Sequence, residues 1–211
     1  IDENAMNILL FTSGTTSKSK AVMLSHKNIA SNLMDISSVL KVREDDRFLS
    51  FLPLHHIFGL TGMLVMLSSG IRTVFPDGLR YIKQNLIEYK VSLFVGVPIL
   101  IEKMYSTIIK ELKKQKKLEL VNFTIKISNI LLKFHIDIRR KLFKKIIDGL
   151  GSDMRFIISG GAPLDKTVAK FFNSIGIHLV QGYGLTETSP VISAEDESFI
   201  RYGSVGLPMK S

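Results

Sequence analysis

The sequence predicts an α/β protein, a parallel-rich sheet flanked by helices on both faces. Three observations lead there. Through the 211 residues, short apolar runs alternate with longer runs of helical periodicity, the pattern of strands joined by helical crossovers. Loops that carry polar and glycine residues follow the strand-like runs, and in parallel sheets ligands sit at the carboxyl ends of strands. Hydrophobic residues make up 45% of the chain, enough for a sizeable core. No run reaches the ~18–20 uncharged apolar residues of a membrane span.

Residues 6–24 read as two short strands around a loop. Ser25 is a favourable N-cap for a helix over 26–40, where Ile29, Leu33, Ile36 and Leu40 recur at helical spacing. Residues 48–52 read as a strand that delivers Pro53-Leu54-His55-His56 to its end. Residues 57–67 are apolar, with Gly59 and Gly62, and read as a buried helix. A strand over 71–75, a helix over 79–89 and a strand over 93–97, ended by Pro98, follow. Residues 99–149 read as a basic helical insertion. Its first helix carries the stripe Ile101, Met104, Tyr105, Ile108, Ile109 and Leu112. A second helix covers roughly 118–132. A third covers roughly 136–147, with Ile138, Leu142 and Ile146 on one side and Arg139, Arg140, Lys141, Lys144 and Lys145 opposite. Residues 177–180 read as a further strand. There is no fixed-period repeat and no low-complexity segment.

The net charge of +9 is unevenly spread. Residues 103–145 hold 13 Lys/Arg against 3 Asp/Glu, a local charge of +10, so the remainder sums to −1. A solvated helical face, contact with an anionic lipid surface and nucleic-acid binding all fit that charge. Sparse aromatics, placed on or near apolar stripes, count against nucleic acid. There is no Cys, hence no disulfide framework, and a reducing compartment fits. No signal peptide is visible. The first residue is Ile1, and the chain stops in a turn-like stretch, Gly206 to Ser211. It reads as a segment of a longer protein.

The most informative stretch runs from Phe11 to His26, FTSGTTSKSKAVMLSH. A strand enters a loop of hydroxyl residues with one glycine and two lysines, and a second strand leaves it. Gly14 lets the backbone approach a ligand closely. Backbone N–H groups and the hydroxyls of Thr12, Ser13, Thr15 and Thr16 donate, and Lys20 supplies charge, as a phosphate requires. No Gly-Lys-Ser/Thr follows, so this is not a Walker loop. Taken alone, the segment also reads as a polar hairpin turn.

A second segment, Gln181-Gly182-Tyr183-Gly184-Leu185-Thr186-Glu187, follows a strand-like run. Together the two resemble the signature of the adenylate-forming enzyme superfamily, which includes acyl-CoA synthetases, luciferase-like enzymes and peptide-synthetase adenylation domains. Residues 12–21 are similar to its phosphate loop T-S-G-T-T-G-x-P-K-G, and 183–187 to its Y-G-x-T-E segment. Two further stretches, Leu52 to Gly59 and Ser159 to Leu164, match in the family's order. The phosphate loop departs from the pattern at Ser17, Ser19 and Ala21, where glycine, proline and glycine are usual. The resemblance covers essentially the whole chain and implies part of the family's large amino-terminal domain.

The resemblance also implies roles. Thr12, Ser13, Gly14, Thr15, Thr16 and Lys20 would hold the β- and γ-phosphates of ATP. Glu187, helped by Thr12 or Thr16, would bind Mg²⁺. Tyr183 would lie on one face of adenine and Gly161, Ala162 and Pro163 on the other. Gln181, Gly182, Gly184 and Leu185 complete the nucleotide segment, and Thr186 would reach the α-phosphate. His56 would orient the carboxylate and later admit the thiol of coenzyme A, while His55 packs. Phe58, Gly59, Ser159, Gly160, Gly182 and Gly184 would border the acyl group. Structural readings stand beside these: Tyr183 as a core aromatic, Glu187 as a helix-start carboxylate, Gly160-Gly161 as an ordinary turn.

Amino-acid-activating members of the family usually place an Asp soon after the equivalent of His55-His56; residues 57–69 carry no charge, so the resemblance implies an uncharged acyl tail, and the basic insertion resembles the long-chain fatty acyl-CoA synthetase branch. The expected small-molecule substrates are therefore a fatty acid, ATP and coenzyme A. The expected location is the cytoplasm, with peripheral contact to an anionic membrane through 103–145 and no nucleic acid. Rival readings are a ligase for a medium-chain, aryl or luciferase-like carboxylate, a non-catalytic phosphate-binding module, and a basic lipid-surface or nucleic-acid-binding domain. No counterpart of the family's later ribose-binding Asp motif, hinge or carboxy-terminal catalytic Lys is present, so the 211 residues alone are expected not to turn over.

Overall fold

The computed structural model describes residues 2–12 and 19–210. Strands β1 (Met6–Thr12) and β2 (Lys20–Ser25) form an antiparallel hairpin in which Thr12 pairs with Lys20. Helix α1 (His26–Val39) follows at once. It starts there because Ser25 closes a capping box: the Asn28 N–H donates to Ser25 Oγ at 3.2 Å, and the Ser25 N–H donates to Asn28 Oδ1 at 2.9 Å.

The main sheet is built from β3 (Arg47–Leu49), β4 (Arg72–Val74), β5 (Leu93–Gly96), β6 (Phe156–Ser159), β7 (His178–Gly184), β8 (Val191–Ala194) and β9 (Leu207–Pro208). Their spatial order is β4-β3-β5-β6-β7-β8-β9. The first five are mutually parallel; β8 and β9 extend the edge antiparallel. The crossovers carry α2 (Ile57–Ser68), a 3₁₀ turn at Leu79–Tyr81, α3 (Ile82–Glu88), α4 (Pro98–Lys114), α5 (Leu118–Lys133), α6 (Arg139–Leu142), α7 (Lys144–Asp148) and α8 (Lys166–Ser174). Pro98 ends β5 and opens α4, because a missing N–H costs nothing at the first helical position.

Strand alternation sorts the core into two layers. Phe48, Leu93, Val95, Phe156 and Val180 face Leu40, which caps α1, and Val65 and Met66 of α2. Leu49, Phe94, Ile157 and Leu179 face Ile101 of α4, Phe143, and Val168 and Phe172 of α8. Helices thus cover both faces, as predicted. Each fully buried Phe or Leu contributes about 1.5–3 kcal/mol, which makes the sheet a firm platform for what its ends carry.

The amino ends of the strands are tied by charge. Asp46, just before β3, is buried and receives Arg155 Nε at 2.8 Å, a second guanidinium nitrogen, Ser92 Oγ at 2.6 Å and the Arg43 N–H at 2.7 Å. Burial alone would raise the Asp46 carboxyl; the hydrogen bonds from Arg155, Ser92 and Arg43 outweigh it and hold it below the usual carboxylate range.

Several sequence expectations need correction. The third helix of the insertion is two short helices that meet at Phe143. Phe143 and Ile147 are its buried residues, whereas Leu142 is exposed. Arg139 and Arg140 do not stand free in solvent. Arg139 donates to Asn173 O at 2.7 Å; Arg140 donates to Met154 O at 2.8 Å, Gly176 O at 3.2 Å and Ser152 O at 3.1 Å. Arg139 thus meets a carbonyl in the last turn of α8, and Arg140 ties the turn before β6 to the turn before β7. The strand expected over 48–52 stops at Leu49, and the helix expected over 79–89 begins as a 3₁₀ turn. Residues 181–184, expected to follow a strand, lie within β7, because β8 pairs with them.

Candidate active site

Four segments converge at the carboxyl edge of the parallel strands. The β1–β2 hairpin packs through Val22 and Leu24 on Ile29 of α1 and Ile57 of α2. That contact brings its Thr12–Lys20 end to the rest of the site, and β2 also packs against the 3₁₀ turn Thr186–Thr188. Lys20 is exposed and makes no ion pair among the described residues. Ser13, Gly14, Thr15 and Thr16 lie outside the described residues.

His56 is the N-cap of α2. Its N–H donates to Pro53 O at 3.1 Å, its side chain caps nothing, and its ring stands 4.4 Å from the ring of His55. It is exposed, and its imidazole is free to meet a ligand. Beyond it, Phe58 lies over the β6 exit: a Cβ on Gly160 would come 2.8 Å from the Phe58 ring. Gly160 is therefore glycine to admit that ring. Gly161 adopts φ +84°, which favours glycine for a different reason. Ala162 and Pro163 are exposed beside it.

Gln181 joins the two central exits. The Leu164 N–H donates to its Oε1 at 3.3 Å, and its Nε2 donates to Ser204 O at 3.3 Å. Its own N–H donates to the buried carboxylate of Glu195 at 3.0 Å, which also receives the Arg201 N–H at 2.9 Å. Burial pushes the Glu195 carboxyl up despite those two bonds. Tyr183 projects from β7, about half exposed at 48%. Gly184 is glycine by necessity, since a Cβ would overlap the Pro190 carbonyl. Asn32 of α1 clamps the returning strand: its Nδ2 donates to Val191 O at 2.7 Å and its Oδ1 accepts the Val191 N–H at 3.1 Å.

A cavity of about 260 Å³ runs from this rim into the layer between α1, α2 and the sheet. His56, Gly160, Gly161, Tyr183 and Thr186 line its polar end. Its walls are apolar, with Val39, Val65, Met66, Val95, Phe156 and Ile158 among them. Thr61 adds one buried hydroxyl with no hydrogen-bond partner among the described residues.

Of the residues predicted for the site, His56, Phe58, Gly160, Gly161, Gln181, Gly182, Tyr183, Gly184, Leu185 and Thr186 line this one cavity. Gly59 does not. A Cβ there would meet Pro53 O at 2.5 Å, so its smallness seats α2 on the preceding loop. Ser159 is buried beneath the rim. Thr12, Lys20, Ala162, Pro163 and Glu187 are outside the lining. Thr61, Asn32 and Glu195 were not anticipated. Asn32 had a signal, because it sits on the same helical face as Ile29 and Ile36.

Glu187 is exposed and without an ion pair among the described residues, so its carboxylate oxygens are open to a hard cation. No group of three His, Cys, Asp or Glu side chains stands ready for a metal among the described residues. Mg²⁺ suits such a place, since it needs one or two protein carboxylates and takes its other ligands from phosphates and water.

A polar and aromatic rim at the ends of the parallel strands opens on an apolar cavity, the arrangement expected of an adenylate-forming α/β domain. The chain matches the AMP-binding enzyme family over residues 1–211 and belongs to it. It is 30% identical over 99% of its length to the long-chain-fatty-acid–[acyl-carrier-protein] ligase AEE15, chloroplastic, of Arabidopsis thaliana, of which it covers 34%. Against the peroxisomal long chain acyl-CoA synthetase 6 of Arabidopsis thaliana the identity is 34%, with 95% of this chain and 30% of that one covered. For long-chain-fatty-acid–CoA ligase 1 of Homo sapiens it is 32%, covering 96% and 30%. The chain thus spans about a third of the length of these relatives. Its fold matches o-succinylbenzoate CoA synthetase of Bacillus subtilis with a TM-score of 0.71 at 22% identity, over 100% of this chain and 36% of that one. It matches the N-terminal domain of FACL13 from Mycobacterium tuberculosis with a TM-score of 0.68 at 23% identity, over 96% and 43%. At those identities the likeness is one of fold.

Proposed function

We propose that the full-length protein activates a long-chain fatty acid with ATP, giving an acyl-adenylate and pyrophosphate, and passes the acyl group to coenzyme A. The observation that carries this reading is the join between a polar rim and an apolar cavity. A carboxylate placed at His56 has its tail directed between α1 and α2, where, among the described residues, Glu195 is the one carboxylate on the lining and is held by two backbone N–H groups.

Both reactants are anions, so the protein must neutralise charge and align the attack. Lys20 and Thr12 meet the outer phosphates from the hairpin. Tyr183 offers a flat face to adenine across from Gly161. Thr186 donates to the α-phosphate, where the carboxylate oxygen bonds to phosphorus as the bond to pyrophosphate breaks. His56 holds the carboxylate. Glu187 would hold Mg²⁺, which would neutralise charge on the phosphate oxygens.

The test is ATP–pyrophosphate exchange by the full-length protein with carboxylates from acetate to oleate. The proposal expects exchange that rises with chain length. Exchange that peaks with acetate or with aromatic acids overturns the long-chain assignment while keeping adenylation. No exchange with any carboxylate overturns both and favours a non-catalytic phosphate-binding module.

A further inference from the structure

The basic helical segment presents a feature that adenylation does not use. Helix α5 packs inward through Val121 and Ile125, and Ser128 is buried on the same side. Its outward face carries Leu120, Phe123, Ile127, Ile130 and, at the C-cap, Phe134. These five recur every three or four residues and are between 41% and 70% exposed. A contiguous exposed apolar stripe on a helix marks an interaction surface.

The surrounding charge selects the partner. Lys126 stands three residues after Phe123 and four before Ile130, and Lys133 three after Ile130, so both flank the stripe. Lys113, Lys114, Lys116 and Lys117 crowd the turn that enters α5. Of the eleven lysines in 103–145, Lys144 alone is ion-paired among the described residues, to Asp148 at 2.6 Å. Arg139 is spent on Asp137, at 2.7 Å, and on a backbone carbonyl, and Arg140 on backbone carbonyls, so neither contributes. An apolar protein surface laid over the stripe would strand those ammonium groups without partners. A nucleic acid would answer the charge and leave the aliphatic side chains in contact with phosphate. An anionic bilayer satisfies both at once. Leucine, isoleucine and phenylalanine enter the acyl boundary, and the lysines meet lipid phosphates, the pattern of an interfacial amphipathic helix. No helix among the described residues is long and apolar enough to cross a membrane.

We infer that α5 is an interfacial docking helix that seats the protein on an anionic phospholipid bilayer, with Phe123 and Ile127 at the centre of the inserted face. The test is co-sedimentation of the full-length protein with phosphatidylcholine vesicles, with and without phosphatidylglycerol. Binding is expected to require phosphatidylglycerol and to fall as salt is raised. K126E/K133E is expected to lower the partition at least tenfold, the scale set by about 1 kcal/mol for each lysine near the surface, and F123S/I127S at least tenfold through the apolar burial it removes. Exchange activity measured without vesicles is expected to be unchanged in both, which establishes folding. Where F123S/I127S fails to fold, K126E/K133E decides. Three results overturn the inference: no binding to either vesicle, equal binding to both, or wild-type binding by K126E/K133E. The last would place the stripe inside the enzyme or against an acidic protein.

Discussion

At the scale of single residues, the site depends on side chains that do little for stability. Lys20 is exposed at the start of β2. Replacing it with Ala should lower kcat/KM for pyrophosphate exchange by about 10²–10³, the usual loss when a transition-state donor is removed. The thermal midpoint should not move. Gly160 behaves oppositely, because its missing Cβ makes room for Phe58. Gly160→Ala should impair exchange by forcing the ring aside, and Phe58→Leu in the same chain should restore part of the loss. Additive losses in that double variant would show that the two do not meet in the working enzyme. Lys20, His56, Gly160 and Tyr183 could be singled out beforehand because they lie in short motifs similar to the family's. Thr61 and Glu195 could not. A hydroxyl in an apolar helix and an acid after a strand become informative only when tertiary structure turns them toward one cavity.

At the scale of elements, two polar clamps hold the sheet where the site needs it. Asp46 and Arg155 join the amino ends of β3 and β6, the edge opposite the site. The Asp46 carboxyl is depressed in the folded protein, so its contribution is fully present above the unfolded value of about 3.9 and is lost as pH falls through the lower folded value. Urea midpoints measured between pH 5 and pH 3 should therefore fall, and Asp46→Asn should flatten that slope. At neutral pH, Arg155→Ala should destabilise by about 3–5 kcal/mol, since it strands a buried carboxylate. The second clamp is Asn32, which satisfies both backbone groups of Val191. Asn32→Leu should cost about 1–3 kcal/mol in a urea titration. It should also weaken exchange, because β8 follows directly on the Thr186–Thr188 turn. Most crossovers and parallel strands could be read from periodicity and punctuation, as with the N-cap at Ser25 and Pro98 at the end of β5. The antiparallel strands β8 and β9 could not. They are short, partly polar, and held by pairing with β7 rather than by their own composition. The insertion's last helix misled for a related reason: arginines that look solvated along the sequence are drawn in by backbone carbonyls at the end of α8 and in the turns before β6 and β7.

At the scale of the whole molecule, two sequence-distant features are brought to one edge of a sheet. The hairpin that precedes α1 and the β7 segment some 160 residues later meet over the mouth of an apolar cavity. The order of motifs along the chain implied that meeting, but the cavity's walls come from helix faces whose depth no spacing rule gives. If nucleotide and acyl group occupy one continuous site, a single ligand carrying both must be sensitive to changes at either end. The most direct measurement is the binding of a palmitoyl sulfamoyl-adenosine analogue to the full-length protein, by titration calorimetry, against Tyr183→Ala at the rim and Val65→Trp in the cavity wall. The account predicts that both substitutions weaken binding at least tenfold, and that Val65→Trp leaves binding of ATP itself unchanged. Wild-type affinity in Val65→Trp would contradict it, because the acyl chain would then lie somewhere other than between α1, α2 and the sheet.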